Sequence, residues 1–268
     1  MLRPFPSEEA VMSVQGRIVW HDLMTKDLEA SRRFYGALFG WRFVAAGPME
    51  LIEGPAGEHH FGAMMALDAA APMPSHWVPY VAVNDLDAAL ATVPKAGGRL
   101  HTRVMEAGQT GRFAVVGDPH GAVVTAFQYT ASAPKPERDA PPPPGLFCWD
   151  ELMTPDPDAA AAFYATVFGL GVEHLDMPDF GRYSIFLRDA VDAEGKRRNA
   201  AGMMKMPPGV PHPFWLSYVA VADCDAAVAK AQALGATPTS PPMNVECVGR
   251  FATLLDPQMA PFAVLAGG

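Results

Sequence analysis

The sequence predicts an α+β protein in which one domain is repeated in tandem. Three observations carry this reading. The segment from Trp20 to Trp41 recurs from Trp149 to Leu170 at an offset of 129, with Trp20, Asp27, Phe34, Tyr35 and Gly40 matched by Trp149, Asp156, Phe163, Tyr164 and Gly169. Further on the offset becomes 138: Trp77, Tyr80, Asp85 and Gly111 to Phe113 match Trp215, Tyr218, Asp223 and Gly249 to Phe251. Each copy also mixes helix-spaced and strand-like runs, with little sign of a Rossmann or barrel succession.

Taken in order, the first copy opens on a strand-like run, VWHDLMT, followed by a helix between Asp27 and Gly40 whose Ala30, Phe34 and Leu38 form one apolar stripe. A second strand, WVPYVAV, leads to the same spacing from Asp85 to Gly98. In the second copy Asp156 caps the helix, Pro157 fills the first helical position and Gly169 supplies the left-handed residue that ends it. The fourth unit runs from Asp223 to Gly235. VVGDPHGAVV and TLLDPQMAPF read as hairpins around Asp-Pro turns, the first a four-residue turn over Asp118 to Gly121 that pairs Ala114 with Thr125. The change of offset places a net insertion of nine residues in the second copy, in the polar stretch from Arg188 to Asn199. The expected division is an N-terminal extension over 1–15, a first domain over 16–129, a stiff proline-rich linker over 130–144 and a second domain over 145–268.

Charge and composition exclude several partners. A net charge of −9 without a basic cluster argues against nucleic acid. No apolar stretch approaches the roughly 18–20 residues that span a bilayer, and the start lacks the pattern of an export signal. Cys148, Cys224 and Cys247 have no CxxC spacing and read as free thiols in a reducing cytoplasm.

A strand, an Asp-capped helix ending in FYGALFGW, then a second Asp-led unit and a DPHG hairpin together resemble the vicinal oxygen chelate superfamily: glyoxalase I, extradiol dioxygenases, and bleomycin and fosfomycin resistance proteins. The resemblance covers roughly residues 16–128 and 145–265. It implies paired βαβββ modules whose sheets curl into an open cup in each domain, with a divalent metal held there by His, Glu or Gln as a Lewis acid. Carried over position by position, the first-strand ligand falls on Trp20 and Trp149 and its counterpart in the second module on Val78 and Leu216. The last-strand carboxylate falls on Thr125 and Ala263, and the strands GAMMAL and GMMKMP offer no ligand. The expected cofactor is therefore none. A metal held by Glu58, His59 and His60 is the alternative, because six of the eight histidines lie in the first copy; none of the six is matched in the second, where His21 corresponds to Asp150.

If the ligand-equivalent positions face inward, alternation turns Trp20, Asp22 and Met24 into the first cup and Trp149, Glu151 and Met153 into the second. Tyr80 and Tyr218 follow, and the four-residue turn puts Arg112 and Thr125 on the same face, with Arg250 by the repeat. Each cup would then present a Trp, a carboxylate, a Tyr and an Arg. Two readings stay open: convergent groups for a small ligand, or a buried ion pair of Asp22 with Arg112 under a tryptophan plug. Phe34, Tyr35, Phe163 and Tyr164 read as core. The functional expectation is a protein that binds a small, partly apolar molecule for sequestration or carriage. A metal-dependent lyase, isomerase or dioxygenase, and a non-binding scaffold, are the alternatives, in a monomer or homodimer.

Overall fold

The computed structural model describes residues 14–57, 60–68, 70–130, 141–177, 181–191 and 195–267. Helices begin and end where local chemistry places them. α1 (Leu28–Phe39) starts at Asp27, whose side chain accepts from the Ala30 amide, and ends at Gly40 with φ 75. α3 (Pro157–Phe168) repeats this with Asp156 accepting from Asp158 and Ala159, and Gly169 at φ 69. In both, glycine supplies a left-handed conformation that a side chain would oppose. Asp85 and Asp223 cap α2 (Leu86–Thr92) and α4 (Cys224–Ala233) in the same way. α2 ends well before Gly98, since Pro94 cannot continue the helical hydrogen bonding.

The strands form two mixed sheets, each curled into an open cup. The first contains β1 (Ile18–Thr25), β2 (Arg42–Ala46), β3 (Met49–Glu53), β4 (Gly62–Ala66), β5 (His76–Ala82), β6 (Arg99–Leu100), β7 (Met105–Ala107), β8 (Gly111–Gly117) and β9 (Val123–Tyr129), in the order β2-β3-β4-β1-β5-β9-β8-β6 with β7 on β8. The second contains β10 (Phe147–Thr154), β11 (Gly171–Met177), β12 (Gly181–Val191), β13 (Arg197–Lys205), β14 (Phe214–Ala220), β15 (Thr237–Pro238), β16 (Met243–Val245), β17 (Gly249–Leu255) and β18 (Pro261–Gly267), in the corresponding order. β12 and β13 run 11 and 9 residues against five each in β3 and β4, so the extra residues of the second copy lengthen this hairpin.

Backbone contacts group the chain into two compact units. Less the residues outside the description, Val19–Tyr80, Pro136–Met153 and Pro213–Gly268 make one, and Met1–Ile18, Val81–Lys135 and Thr154–His212 the other. The first holds α1 and α4. Its core joins Leu23, Phe34, Tyr35, Trp41 and Trp77 of the first copy with Val228, Phe262 and Val264 of the second. Burial of this aromatic area drives the unit together, and its polar tips are satisfied: Tyr35 OH donates to Asp256 Oδ2 at 2.9 Å, and Trp77 Nε1 donates to Tyr35 OH at 3.1 Å. The other unit holds α2 and α3. There Phe163, Tyr164 and Phe168 are buried, Tyr164 packs on Phe186 at 5.2 Å, and Gly98 lies so close under Phe163 that a Cβ would stand 2.4 Å from its ring. The core role expected of Phe34, Tyr35, Phe163 and Tyr164 is met.

The Asp-Pro hairpins depart from expectation by one residue. Gly117 pairs with Val123 and Ala114 with Ala126, so the connection is the five residues from Asp118 to Ala122. Asp118 Oδ1 holds it closed, accepting from the amides of His120, Gly121 and Ala122 at 2.9, 2.8 and 2.9 Å. Asp256 does the same for Gln258 and Ala260. A shift of one residue in register moves every side chain of a strand to the other face.

Candidate functional site

Alternation along β1 separates two environments. Leu23 enters the helix-side core, fully buried, so Trp20, Asp22 and Met24 face the opposite side, that of the first cup. Asp22, 7% exposed, accepts from Trp20 Nε1 at 2.8 Å through Oδ1 and from the Tyr80 hydroxyl through Oδ2. Burial pushes its carboxyl above the usual 3.8, against the pull of the Tyr80 and Trp20 hydrogen bonds and the His21 charge. In the second cup Trp149 stands directly opposite Tyr218 across β10 and β14, and Tyr218 OH donates to Glu151 Oε1 at 3.2 Å. Glu151 is 5% exposed. The structure thus brings together Trp20, Asp22 and Tyr80 as one set and Glu151 with Tyr218 as another, with both tryptophans half-buried beside them.

The arginines expected in the cups are elsewhere. Arg112 pairs across the hairpin with Gln128, not on the Thr125 face, and donates to Gln128 Oε1 at 3.0 and 3.2 Å and to Asp87 on α2 at 2.7 Å. Arg250 likewise donates to Asp225 on α4 at 2.6 and 2.9 Å and to Asn244. The expected ion pair of Asp22 with Arg112 is therefore corrected. The five-residue hairpin loop shifts β8 against β9 by one, and β17 against β18 likewise, which turns both guanidinium groups to the helix side. Thr125 is 1% exposed, opposite Val115, and its hydroxyl has no partner among the described residues.

The residues at the family's ligand positions do not make a metal-binding donor set. Positions 20, 78, 125, 149, 216 and 263 hold Trp, Val, Thr, Trp, Leu and Ala. Among the described residues no three His, Cys, Asp or Glu side chains converge. Of the alternative ligand set, Glu58 and His59 lie outside the described residues, while His60 pairs with Glu53 at 3.3 Å. His21 faces the helix side: its Nε2 donates to Asp150 at 2.9 and 3.0 Å, Ser217 Oγ donates to the same carboxylate at 2.6 Å, and the ring stacks on Phe147. This buried network was not among the expected features. Its one sequence signal is that His21 and Asp150, complementary in chemistry, occupy equivalent repeat positions. Burial pushes the Cys148 thiol up to about 12 and raises the Cys224 thiol as well, which disfavours the reactive thiolate at both, while Cys247 is exposed.

The raised Asp22 carboxyl sets a pH dependence. The native state keeps this proton where the unfolded chain has lost it, so the associated stability is present below 3.8 and is lost as pH rises through the higher native value. Asp22→Asn cannot titrate. Urea midpoints measured across that range are expected to decline less in the variant, and parallel pH curves for variant and wild type would contradict the assignment.

The profile of the "Glyoxalase/Bleomycin resistance protein/Dioxygenase superfamily" matches residues 17–125, and that of a "Glyoxalase-like domain" matches residues 147–265. Over 262 residues the chain is 36% identical to a Mycobacterium bovis protein named "Putative glyoxylase CFP32", covering 94% of this chain and 95% of that one. It is 30% identical to "Anthracycline biosynthesis protein DauV" of Streptomyces sp. (strain C5), covering 93% of each. Among solved structures, the Mn(II)-bound glyoxalase of Novosphingobium aromaticivorans superposes with a TM-score of 0.63 at 16% identity, over 93% of this chain and 82% of that one. The 2,3-dioxygenase LapB of Pseudomonas sp. KL28 gives 0.63 at 15%, over 96% and 94%. No helix of the described residues is long and apolar enough to cross a membrane. With two matched regions spanning most of its length, the chain belongs to the glyoxalase/bleomycin resistance protein/dioxygenase superfamily, of which it carries two tandem domains.

Proposed function

We propose that this chain binds a small, partly apolar molecule in its cups without a metal, as a sequestering or carrying protein. The observation that supports this best is that both copies keep a tyrosine hydroxyl on a buried carboxylate beside a half-buried tryptophan, where at least three of the four family ligand positions in each cup have lost their metal donor. The indoles of Trp20 and Trp149 supply apolar contact area, and the Tyr80 and Tyr218 hydroxyls supply orientation, since each can turn from its carboxylate to a polar group of the ligand. Full-length similarity to a protein named for anthracycline biosynthesis supports a small-molecule role.

The reading of a metal-dependent lyase, isomerase or dioxygenase draws support from the fold shared with a Mn(II)-bound glyoxalase. It would need a ligand set that includes residues 58 and 59. The scaffold reading needs both cups to be closed to ligand.

Titration of tryptophan fluorescence with neutral naphthylmethanol tests the proposal. Tyr80→Phe and Tyr218→Phe are each expected to weaken binding at one site by about 1 kcal/mol, roughly fivefold, and to lower the melting temperature as well, because each leaves a buried carboxylate without its hydroxyl donor. Unaltered affinity in both variants would sink the assignment of these hydroxyls, and no binding to the wild type would favour the scaffold.

A further inference from the structure

We infer that the first cup recognises a carbonyl: a planar aromatic ketone whose oxygen accepts a hydrogen bond from the Thr125 hydroxyl. This rests on the reading of the cups as binding sites and names the ligand class of the first, with one of its contacts.

Thr125 lies on β9, within the α2/α3 unit. Alternation along β8 and β9 puts Ala114, Val116, Val124 and Ala126 on the helix side with Arg112 and Gln128, and turns Val115, Thr125 and Phe127 to the cup. The Thr125 hydroxyl has no partner among the described residues of either unit, and at 1% exposure water does not supply one. A buried hydroxyl left without a hydrogen bond costs stability, and valine would fill the same space without that cost. One other buried hydroxyl among the described residues lacks a partner, that of Thr154, and its origin is local. Its counterpart Thr25 bonds Ser31 Oγ at 2.8 Å, and the second copy has Ala160 in place of that serine. No such replacement accounts for Thr125. Its own counterpart is Ala263, so the hydroxyl belongs to the first cup alone.

A ligand atom can supply what the fold does not. A carbonyl oxygen needs a single donor and Thr125 has a single proton to give, so the pair leaves no donor unpaired. A ligand hydroxyl would add a donor of its own that needs a further acceptor. A charged group would lose more hydration than one neutral hydroxyl returns. Val115 across the ladder and Phe127 along β9 offer apolar contact to the ring that carries the carbonyl. Because Thr125 is 1% exposed, contact follows a rotamer change in the side chains that cover it.

Two probes of one shape test this on the full chain by equilibrium dialysis: methyl naphthyl ketone, and isopropenylnaphthalene, in which a methylene replaces the carbonyl oxygen. Thr125→Val is expected to lower the affinity for the ketone relative to the alkene about fivefold at one site per chain, while raising the melting temperature by roughly 2 °C. Thr125→Ser keeps the hydroxyl and should keep the wild-type ratio. A ratio unchanged in Thr125→Val overturns the contact and the ligand class while leaving the cups as binding sites. A lower melting temperature, or failure of that variant to fold, would show that the hydroxyl has a partner within the fold and overturns the inference as well. Binding of neither probe to the wild type removes the underlying reading and the inference with it.

Discussion

Replacing Trp41 with alanine is expected to cost about 3–5 kcal/mol of unfolding free energy, enough to consume a large part of the stability of an ordinary domain. Trp41 is 3% exposed and sits at the centre of the aromatic core of the α1/α4 unit. Its ring stacks on Tyr35 at 5.3 Å and meets Phe39, Phe61, Trp77 and Phe147. Its Nε1 donates to the Gly145 carbonyl at 2.6 Å, so truncation also leaves a buried acceptor without that donor. The rings touching it are themselves packed and cannot collapse far into the void, which places the cost toward the upper part of that range. Urea unfolding followed by circular dichroism reads the effect. A loss below about 1 kcal/mol would show that this core is looser than its packing indicates.

Asp150→Ala is expected to lower stability by about 3 kcal/mol. One carboxylate, 5% exposed, serves as the acceptor for both His21 and Ser217, and alanine leaves two buried donors without it. His21 cannot turn to water easily, since it is 5% exposed and stacks on Phe147 with centroids 3.9 Å apart. A double-mutant cycle with His21→Ala should give a coupling of about 1 kcal/mol or more, because the second truncation removes a donor that has already lost its acceptor. Additive losses would mean that the two side chains act independently. The pair also bears on the cups. His21 lies between Trp20 and Asp22, and Asp150 between Trp149 and Glu151, so the network fixes the strands whose other faces carry the cup residues.

Much of this fold was legible in the sequence, and the reason is local. The caps at Asp27, Asp85, Asp156 and Asp223 and the glycines at 40 and 169 act within a few residues of themselves, so spacing alone places the helices. The strand period places Trp20 with Asp22 and Trp149 with Glu151 for the same reason. The arginines were not legible. Their face depends on whether the Asp118 and Asp256 hairpins close after four residues or five, and that is decided by how many amides a single carboxylate can gather. One residue of difference replaces an expected cup cation with a helix-side ion pair. The His21, Asp150 and Ser217 network was hidden for another reason. It joins segments far apart in the chain through unlike side chains at equivalent positions, so a search for identical residues passes over it.

The central claim is that the cups hold their ligand through protein side chains alone. Its most direct test is the affinity of naphthylmethanol for protein purified without a metal-affinity tag, measured before and after exhaustive dialysis against EDTA with metal content followed in parallel. The same affinity is expected in both samples, with a metal content far below one per chain. Near-stoichiometric Mn, Fe, Zn or Ni, with binding lost on its removal and restored on its return, would contradict it.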